Sequence, residues 1–353
     1  MTTPTGERYC PSCGATTDEK MCPEDGTPTV VREALQVDVN VMRVGDLIDG
    51  RYRIKGLLGR GGFGAVYAAE HIGTQQSIAL KILMANPDGT NETMVRRFYR
   101  EARITASLRH ANTVRVFDVG QTETGMQYIA MELLRGKSLG EFLVERFSAQ
   151  EVLTERECLD IAIPILRSLY EAHRKGLVHR DLKPANVMLT RTGVEEDDAH
   201  DEDDADVLGV KVLDFGIARP QESSLTRVGA SVGTPAFMSP EQCQGLRLDG
   251  RSDLYSVGII LFLCAAGALP FEGRNPLAVM YKHANNAPPD LKNITRTKLS
   301  DDFIACVYKA LSKQPQDRFA SARAMRRVLA AVRDGKPLPE DEAHAPLPKL
   351  DGL

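Results

Sequence analysis

Residues 177–189, LVHRDLKPANVML, constrain this chain more than any other stretch. Two short apolar runs read as strand edges. Between them His179, Arg180, Asp181, Lys183 and Asn186 fall in close order. A surface turn built on Lys183-Pro184 would explain the loop but not the chemistry gathered in it. A carboxylate at Asp181 can accept the proton of an attacking hydroxyl, Lys183 can neutralise anionic oxygens, and the Asn186 amide oxygen can hold a metal ion. Phosphoryl transfer needs few reacting side chains and much positioning of charge, so such a loop suits it. The rest of the chain must supply the context.

At 353 residues there is room for one large two-lobed domain with appendages, or for two to three average domains. The net charge of -4 hides an asymmetry, because residues 195–206 carry nine carboxylates and no Lys or Arg. Without that stretch the chain is mildly basic. The opening MTTPTGERYC lacks the charged and then apolar layout of an export signal. The most apolar run, residues 257–269, is stopped by Pro270 and falls short of the about 20 residues that a membrane helix needs. It reads as a buried core helix. A cytoplasmic protein with no membrane partner is the expectation. Seven cysteines, three of them within the first 22 residues, suit a reducing compartment with one metal-type cluster.

That cluster has the spacing Cys10-x2-Cys13-x8-Cys22-x2-Asp25 within residues 1–28. Three thiolates and Asp25 would complete a tetrahedron around Zn²⁺, and Glu24 or a ligand from a second chain can replace Asp25. So short a segment needs a metal or remains disordered. A redox thiol group and an ordinary turn-rich tail are the other readings. It resembles the zinc-ribbon knuckles that precede some bacterial catalytic domains. Its only cations are Arg8 and Lys20, so nucleic acid is not favoured as a partner. Residues 29–44 carry no motif and read as linker or an added edge strand.

From Gly45 the context appears. Residues 52–67, YRIKGLLGRGGFGAVY, set Gly59, Gly61 and Gly64 in an alternating pattern that predicts a two-strand hairpin. Glycines let backbone close over phosphates, and Phe63 at the tip can shield the site. Lys81 follows in an apolar strand, where it needs a carboxylate partner and an anionic ligand. Residues 94–108 are helical in pattern, and Glu101 on that helix is the expected partner. Residues 127–134 read as a strand entering a connector. Core helices are predicted over 139–147 and 157–175, the second with the stripe Leu159, Ile163, Leu166 and Leu169 or Tyr170. His110 and His173 read as structural or solvent-facing.

Residues 187–189 and 210–213 should pair as strands, with the acidic insertion 195–206 between them as a solvated loop or a docking segment. Asp214-Phe215-Gly216 follows, its aspartate placed to chelate Mg²⁺. Residues 217–232 are rich in hydroxyls, and Arg180 gives a phosphate there a cation to dock against, which nominates Thr226 and Ser231 as phosphorylation sites. Thr234 is expected to hydrogen-bond Asp181 and Lys183, Glu241 to pair with Arg318, and Asp253 to anchor the catalytic loop. A last helix is predicted over 321–332.

From about Arg51 to Asp334 the chain resembles a eukaryotic-like bacterial Ser/Thr protein kinase, in which the glycine loop, strand lysine, helix glutamate, HRDLKPAN loop, Asp-Phe-Gly and Pro-Glu steps occur in this order. The resemblance implies an α+β, two-lobed fold at 45–335, with a β-rich N-lobe at 45–133 and a helical C-lobe at 134–335; the Pro-rich, acidic residues 336–353 read as a disordered tail. It places ATP and Mg²⁺ (or Mn²⁺) between the lobes. Contacts to ATP are implied for Leu58, Gly59, Gly61, Gly62, Phe63, Gly64, Val66, Ala79, Lys81, Met131, Glu132 and Leu134. Asp181 is implied as catalytic base, Lys81 on the phosphates with Glu101 as its partner, and Asn186 and Asp214 on metal. Thr234, Glu241 and Arg318 form the substrate platform. Protein substrates follow, with a second copy as partner for trans-autophosphorylation. Ser239 before Pro240 and Phe237 depart from the family's usual Ala and Tyr without removing a reacting group. A catalytically silent scaffold is the alternative reading.

Overall fold

Alternation along residues 52–83 and helical periodicity after residue 138 become two compact units in the computed structural model, which describes residues 8–10, 13, 15–19, 21–24, 29–31, 42–61, 64–83, 99, 102–122, 126–192, 207–215 and 235–339. The first unit takes Met1–Arg109 and Val114–Leu134; the second takes His110–Thr113 and Arg135–Leu353.

In the first unit, strands β4 (Leu47–Ile48), β5 (Tyr52–Gly61), β6 (Gly64–His71), β7 (Ser77–Leu83), β8 (Val116–Gln121) and β9 (Gln127–Glu132) form one sheet in the order β4-β5-β6-β7-β9-β8. Every pairing is antiparallel. Side chains alternate between faces along a strand, and the inward set, Tyr52, Ile54, Tyr67, Leu80, Ile82 and Tyr128, packs one core. Arg51 closes the sheet's outer end by pairing with Asp49 at 2.7 Å and Asp118 at 2.8 Å. Residues 102–107 are helical, and Ala102 packs with Leu83, Tyr99 and Ile129 in a second cluster.

A separate small sheet precedes these strands: β1 (Arg8–Tyr9) lies between β2 (Thr16–Thr17) and β3 (Val30–Val31). It runs past the boundary expected at residue 28. Arg8 clamps the buried Thr29, Nε donating to its hydroxyl at 2.8 Å, and that hydroxyl donates to Glu19 O. Residues 32–41 lie outside the described residues.

In the second unit, capping decides where helices start. Ser138 and Glu141 close a capping box on the helix Leu139–Ser148, as Thr154 and Glu157 do for Glu155–Arg174. Leu159, Ile163, Leu166 and Leu169 of the latter are buried. They meet the helix Gly250–Ala266, which begins at the Asp249 cap and ends at Gly267, whose φ of 72° suits a residue without Cβ. From Val257 to Ala266 that helix is apolar on every side, and all of these residues but Leu263 are buried. Among the described residues no helix is long and apolar enough to cross a membrane. The helices Asp301–Ala310 and Ala322–Arg333 complete the core. A three-stranded sheet, β10 (Gly136–Ser138), β11 (Val187–Thr192) and β12 (Val207–Val212), carries the chain into and out of the candidate loops.

The division between units is not one cut near residue 133. His110–Thr113 belongs with the second unit because its polar groups are satisfied there. Asn112 Nδ2 donates to Val210 O at 2.8 Å, Val212 N to Asn112 O at 2.8 Å, and His110 N to Glu171 Oε2 at 2.9 Å.

Candidate active site

The loop between the helix Glu155–Arg174 and β11 is held by one buried carboxylate. Asp253, 1% exposed, accepts the His179 N–H on Oδ2 at 2.8 Å and the Arg180 N–H on Oδ1 at 3.0 Å, and His173 Nε2 lies 2.7 Å from Oδ2. Burial alone would raise its pKa; the His173 and His179 contacts outweigh that and hold it below the ordinary value. With the loop so pinned, Arg180 adopts a left-handed φ of 66°. Gln242 Nε2 donates to the Arg180 carbonyl at 2.7 Å, tying the loop to the 3₁₀ and helical turns at 235–243.

Beyond Arg180, Asp181 Oδ2 accepts from Lys183 Nζ at 3.0 Å, and Asn186 Nδ2 lies 2.8 Å from Asp181 O and 3.4 Å from Asp181 Oδ2. These groups are half-buried or buried, so their attraction is screened less than on an open surface. Asn186 O accepts the Leu213 N–H at 2.9 Å, and His179 Nε2 lies 2.9 Å from Leu213 O, which places Asp214 one residue on. Asp214 has a left-handed φ of 41°, and Phe215 is fully buried against the His179 ring, with centroids 4.7 Å apart. Asp181, Lys183 and Asn186 therefore belong to one hydrogen-bonded frame, and Asp214 follows directly on Leu213, whose backbone that frame holds.

In the first unit, Gly59 pairs with Val66, Gly61 with Gly64, and bulges interrupt the ladder near Gly56 and Gly59. A Cβ on Gly64 would stand 2.1 Å from Ile82 O, so only glycine lets β6 approach β7 there. Lys81 is half-buried opposite Val66 and Ile129, and Ala79 lies opposite Met131. Glu132 exchanges contacts with Arg115, donating its N–H to Arg115 O at 2.9 Å. Leu58 is exposed and Leu134 half-buried.

The pattern described as "Protein kinase domain" matches residues 52–329. The chain belongs to the protein kinase domain family. It is 39% identical over 295 residues to the serine/threonine-protein kinase pkn3 of Myxococcus xanthus, covering 82% of this chain and 51% of that one. It is 34% identical to the serine/threonine-protein kinase PknB of Mycobacterium tuberculosis, over 82% of this chain and 44% of that one. The chain thus spans about half the length of the curated relatives it matches. The crystal structure of the Mycobacterium tuberculosis PknI kinase domain superposes with a TM-score of 0.60 at 28% identity, over 82% of this chain and 99% of that one.

In this kinase domain Glu241 and Arg318 meet as a buried two-point ion pair, 2.7 Å at each contact, with the Ser252 hydroxyl donating to Glu241 at 2.6 Å. Arg318 also donates to the carbonyls of Ser312, Arg251 and Lys313. Burial would raise the Glu241 pKa, but Arg318 and Ser252 hold it below its ordinary value. His173, which the sequence leaves as structural or solvent-facing, and Gln242 are the loop-holding residues that spacing does not reveal. Gly62, Phe63, Glu101, Gly216, Thr226, Ser231, Thr234 and the insertion 195–206 lie outside the described residues.

Cys10, Cys13 and Cys22 come together, their sulfurs all within 4.8 Å of one another, while Asp25 lies outside the described residues. The Ala15 N–H pulls the Cys13 thiol down, but desolvation and the Cys10, Cys22 and Glu24 side chains push it up to about 12.

Proposed function

We propose that the chain transfers the γ-phosphoryl group of ATP to serine and threonine hydroxyls of proteins. The observation that carries this reading is the pinned loop that sets Asp181 Oδ2 3.0 Å from Lys183 Nζ. Asp181 is the base that accepts the proton of the attacking hydroxyl, and Lys183 offsets charge on the transferred oxygens. Asn186 and Asp214 are the residues that would hold Mg²⁺ or Mn²⁺, and their amide and carboxylate oxygens are the hard donors such ions take. When bound, the metal neutralises charge gathering on the phosphate oxygens.

Lys81, with Glu101, holds the α- and β-phosphates. Leu58, Gly59, Gly61, Gly62, Phe63, Gly64, Val66, Ala79 and Met131 enclose the nucleotide, and the main chain at Glu132 and Leu134 reads the adenine edge. Lys183 two residues after the base favours serine and threonine over tyrosine. Thr226 and Ser231 are sites of autophosphorylation between two copies, Thr234, Glu241 and Arg318 support the peptide platform, and the setting is the cytoplasm. Cys10, Cys13 and Cys22 hold one structural Zn²⁺, a neighbouring carboxylate filling the fourth place.

The test is transfer from labelled ATP to a protein acceptor, followed by phosphoamino-acid analysis. Label on serine and threonine is expected with the parent and none with Lys81→Met or Asp214→Asn. Label on tyrosine alone, or transfer undiminished in both variants, would overturn the reading.

A further inference from the structure

Arg180 is the strained point of the candidate loop. Its φ of 66° lies in the left-handed region, which a residue with a Cβ keeps only where contacts on both sides hold it. One side is Asp253, whose Oδ1 accepts the Arg180 N–H at 3.0 Å. The other is the Arg180 carbonyl, which accepts from Gln242 Nε2 at 2.7 Å. A peptide unit is planar, so the grip on that carbonyl also sets the Asp181 N–H and the direction in which the chain enters Asp181.

The Gln242 amide is itself aimed. Its Oε1 accepts from the Ser239 N–H at 3.0 Å and from the Ser239 hydroxyl at 3.2 Å. Ser239 is fully buried. A backbone N–H can only donate and a backbone carbonyl can only accept. Turning the amide over would therefore set donor against donor at Ser239 and acceptor against acceptor at Arg180. The charged groups nearby have partners of their own: Glu241 with Arg318, Asp253 with His173 and two backbone N–H groups, and Asp181 with Lys183.

We infer that Ser239 and Gln242 are positioning residues for Asp181, Ser239 by orienting the amide and Gln242 by clamping the Arg180 carbonyl. The inference rests on the kinase reading, in which Asp181 is the base, and adds two residues of the 235–243 segment to what sets it.

The test is steady-state phosphorylation of a protein acceptor across about pH 5.5–8.5, with each chain kept below its thermal midpoint. Gln242→Met removes both sets of bonds and cannot titrate. It should lower kcat about tenfold or more throughout, with the KM for ATP near the parent value. Gln242→Glu keeps an acceptor for Ser239 but sets a carboxylate oxygen against the Arg180 carbonyl. Its kcat relative to the parent should be low at the basic end and climb as pH falls, because a protonated carboxyl donates where the Gln242 amide did. Ser239→Ala retains the backbone donor, so its fall in kcat should be smaller, about threefold. A folding defect would not be relieved by protonating one introduced carboxyl. No transfer by the parent would overturn the kinase reading and the inference together. Transfer by the parent with undiminished kcat in Gln242→Met, or a Gln242→Glu ratio that stays flat with pH, would overturn the positioning role alone.

Discussion

A carboxylate as buried as that of Asp253 keeps its charge only when donors replace the water it has lost. Two backbone N–H groups and His173 do so, and the same contacts set the backbone of the loop that carries Asp181. Asp253→Asn replaces an acceptor oxygen with a donor. It is expected to lower the phosphorylation rate roughly a hundredfold through misplacement of Asp181 while leaving the KM for ATP near the parent value, measured by steady-state kinetics. The Glu241 and Arg318 pair is a matter of stability instead. Arg318→Met should cost about 3–5 kcal/mol in denaturant unfolding, since it leaves a buried carboxylate alone.

Asp253 and Glu241 also set the acid limb of stability. Both folded pKa values lie below the ordinary 3.8 and 4.5. Their contribution is therefore complete above those values and lost as pH falls through the lower, folded ones. Thermal midpoints should hold near neutrality and fall steeply below about pH 4, and a chain in which Arg318→Met removes the pairing should show a shallower acid limb. Asp181, Lys183 and Asn186 are legible in the sequence because they are near neighbours on one loop. His173 and Gln242 are not, because their partners lie 80 and 62 residues away and nothing in local spacing marks them.

At the scale of elements, periodicity located strands and helices better than it located their ends. The helix predicted over 257–269 spans Gly250–Ala266, because the Asp249 cap and Gly267, rather than the apolar run, delimit it. Strands β11 and β12 run on to Thr192 and from Val207, in register with each other beyond the short apolar stretches at 187–189 and 210–213 that the pattern marked. Close packing between helices was equally invisible. A Cβ on Gly258 would stand 2.9 Å from the Ala310 Cβ, so Gly258→Leu should force the helices Gly250–Ala266 and Asp301–Ala310 apart at a cost of roughly 1–3 kcal/mol, read from the denaturant midpoint.

For the whole molecule, an ordered set of short motifs made the two-lobed kinase fold readable, since each motif carries chemistry that its neighbours in the order complete. The crossing of His110–Thr113 into the second unit was not readable, because it is decided by long-range hydrogen bonds to Val210, Val212 and Glu171. Residues 8–31 fall outside the matched kinase region 52–329 and form a sheet of their own. If Cys10, Cys13 and Cys22 hold the proposed Zn²⁺, a chelator should unfold that sheet and leave the main unfolding transition of the kinase domain in place, which calorimetry with and without chelator would show. The most direct measurement is the intact mass of the purified chain after incubation with Mg-ATP, with Asp181→Asn alongside. The parent should gain the mass of one or more phosphoryl groups and the variant none. An unchanged parent, or equal gains in both, would contradict a kinase that uses Asp181 as its base.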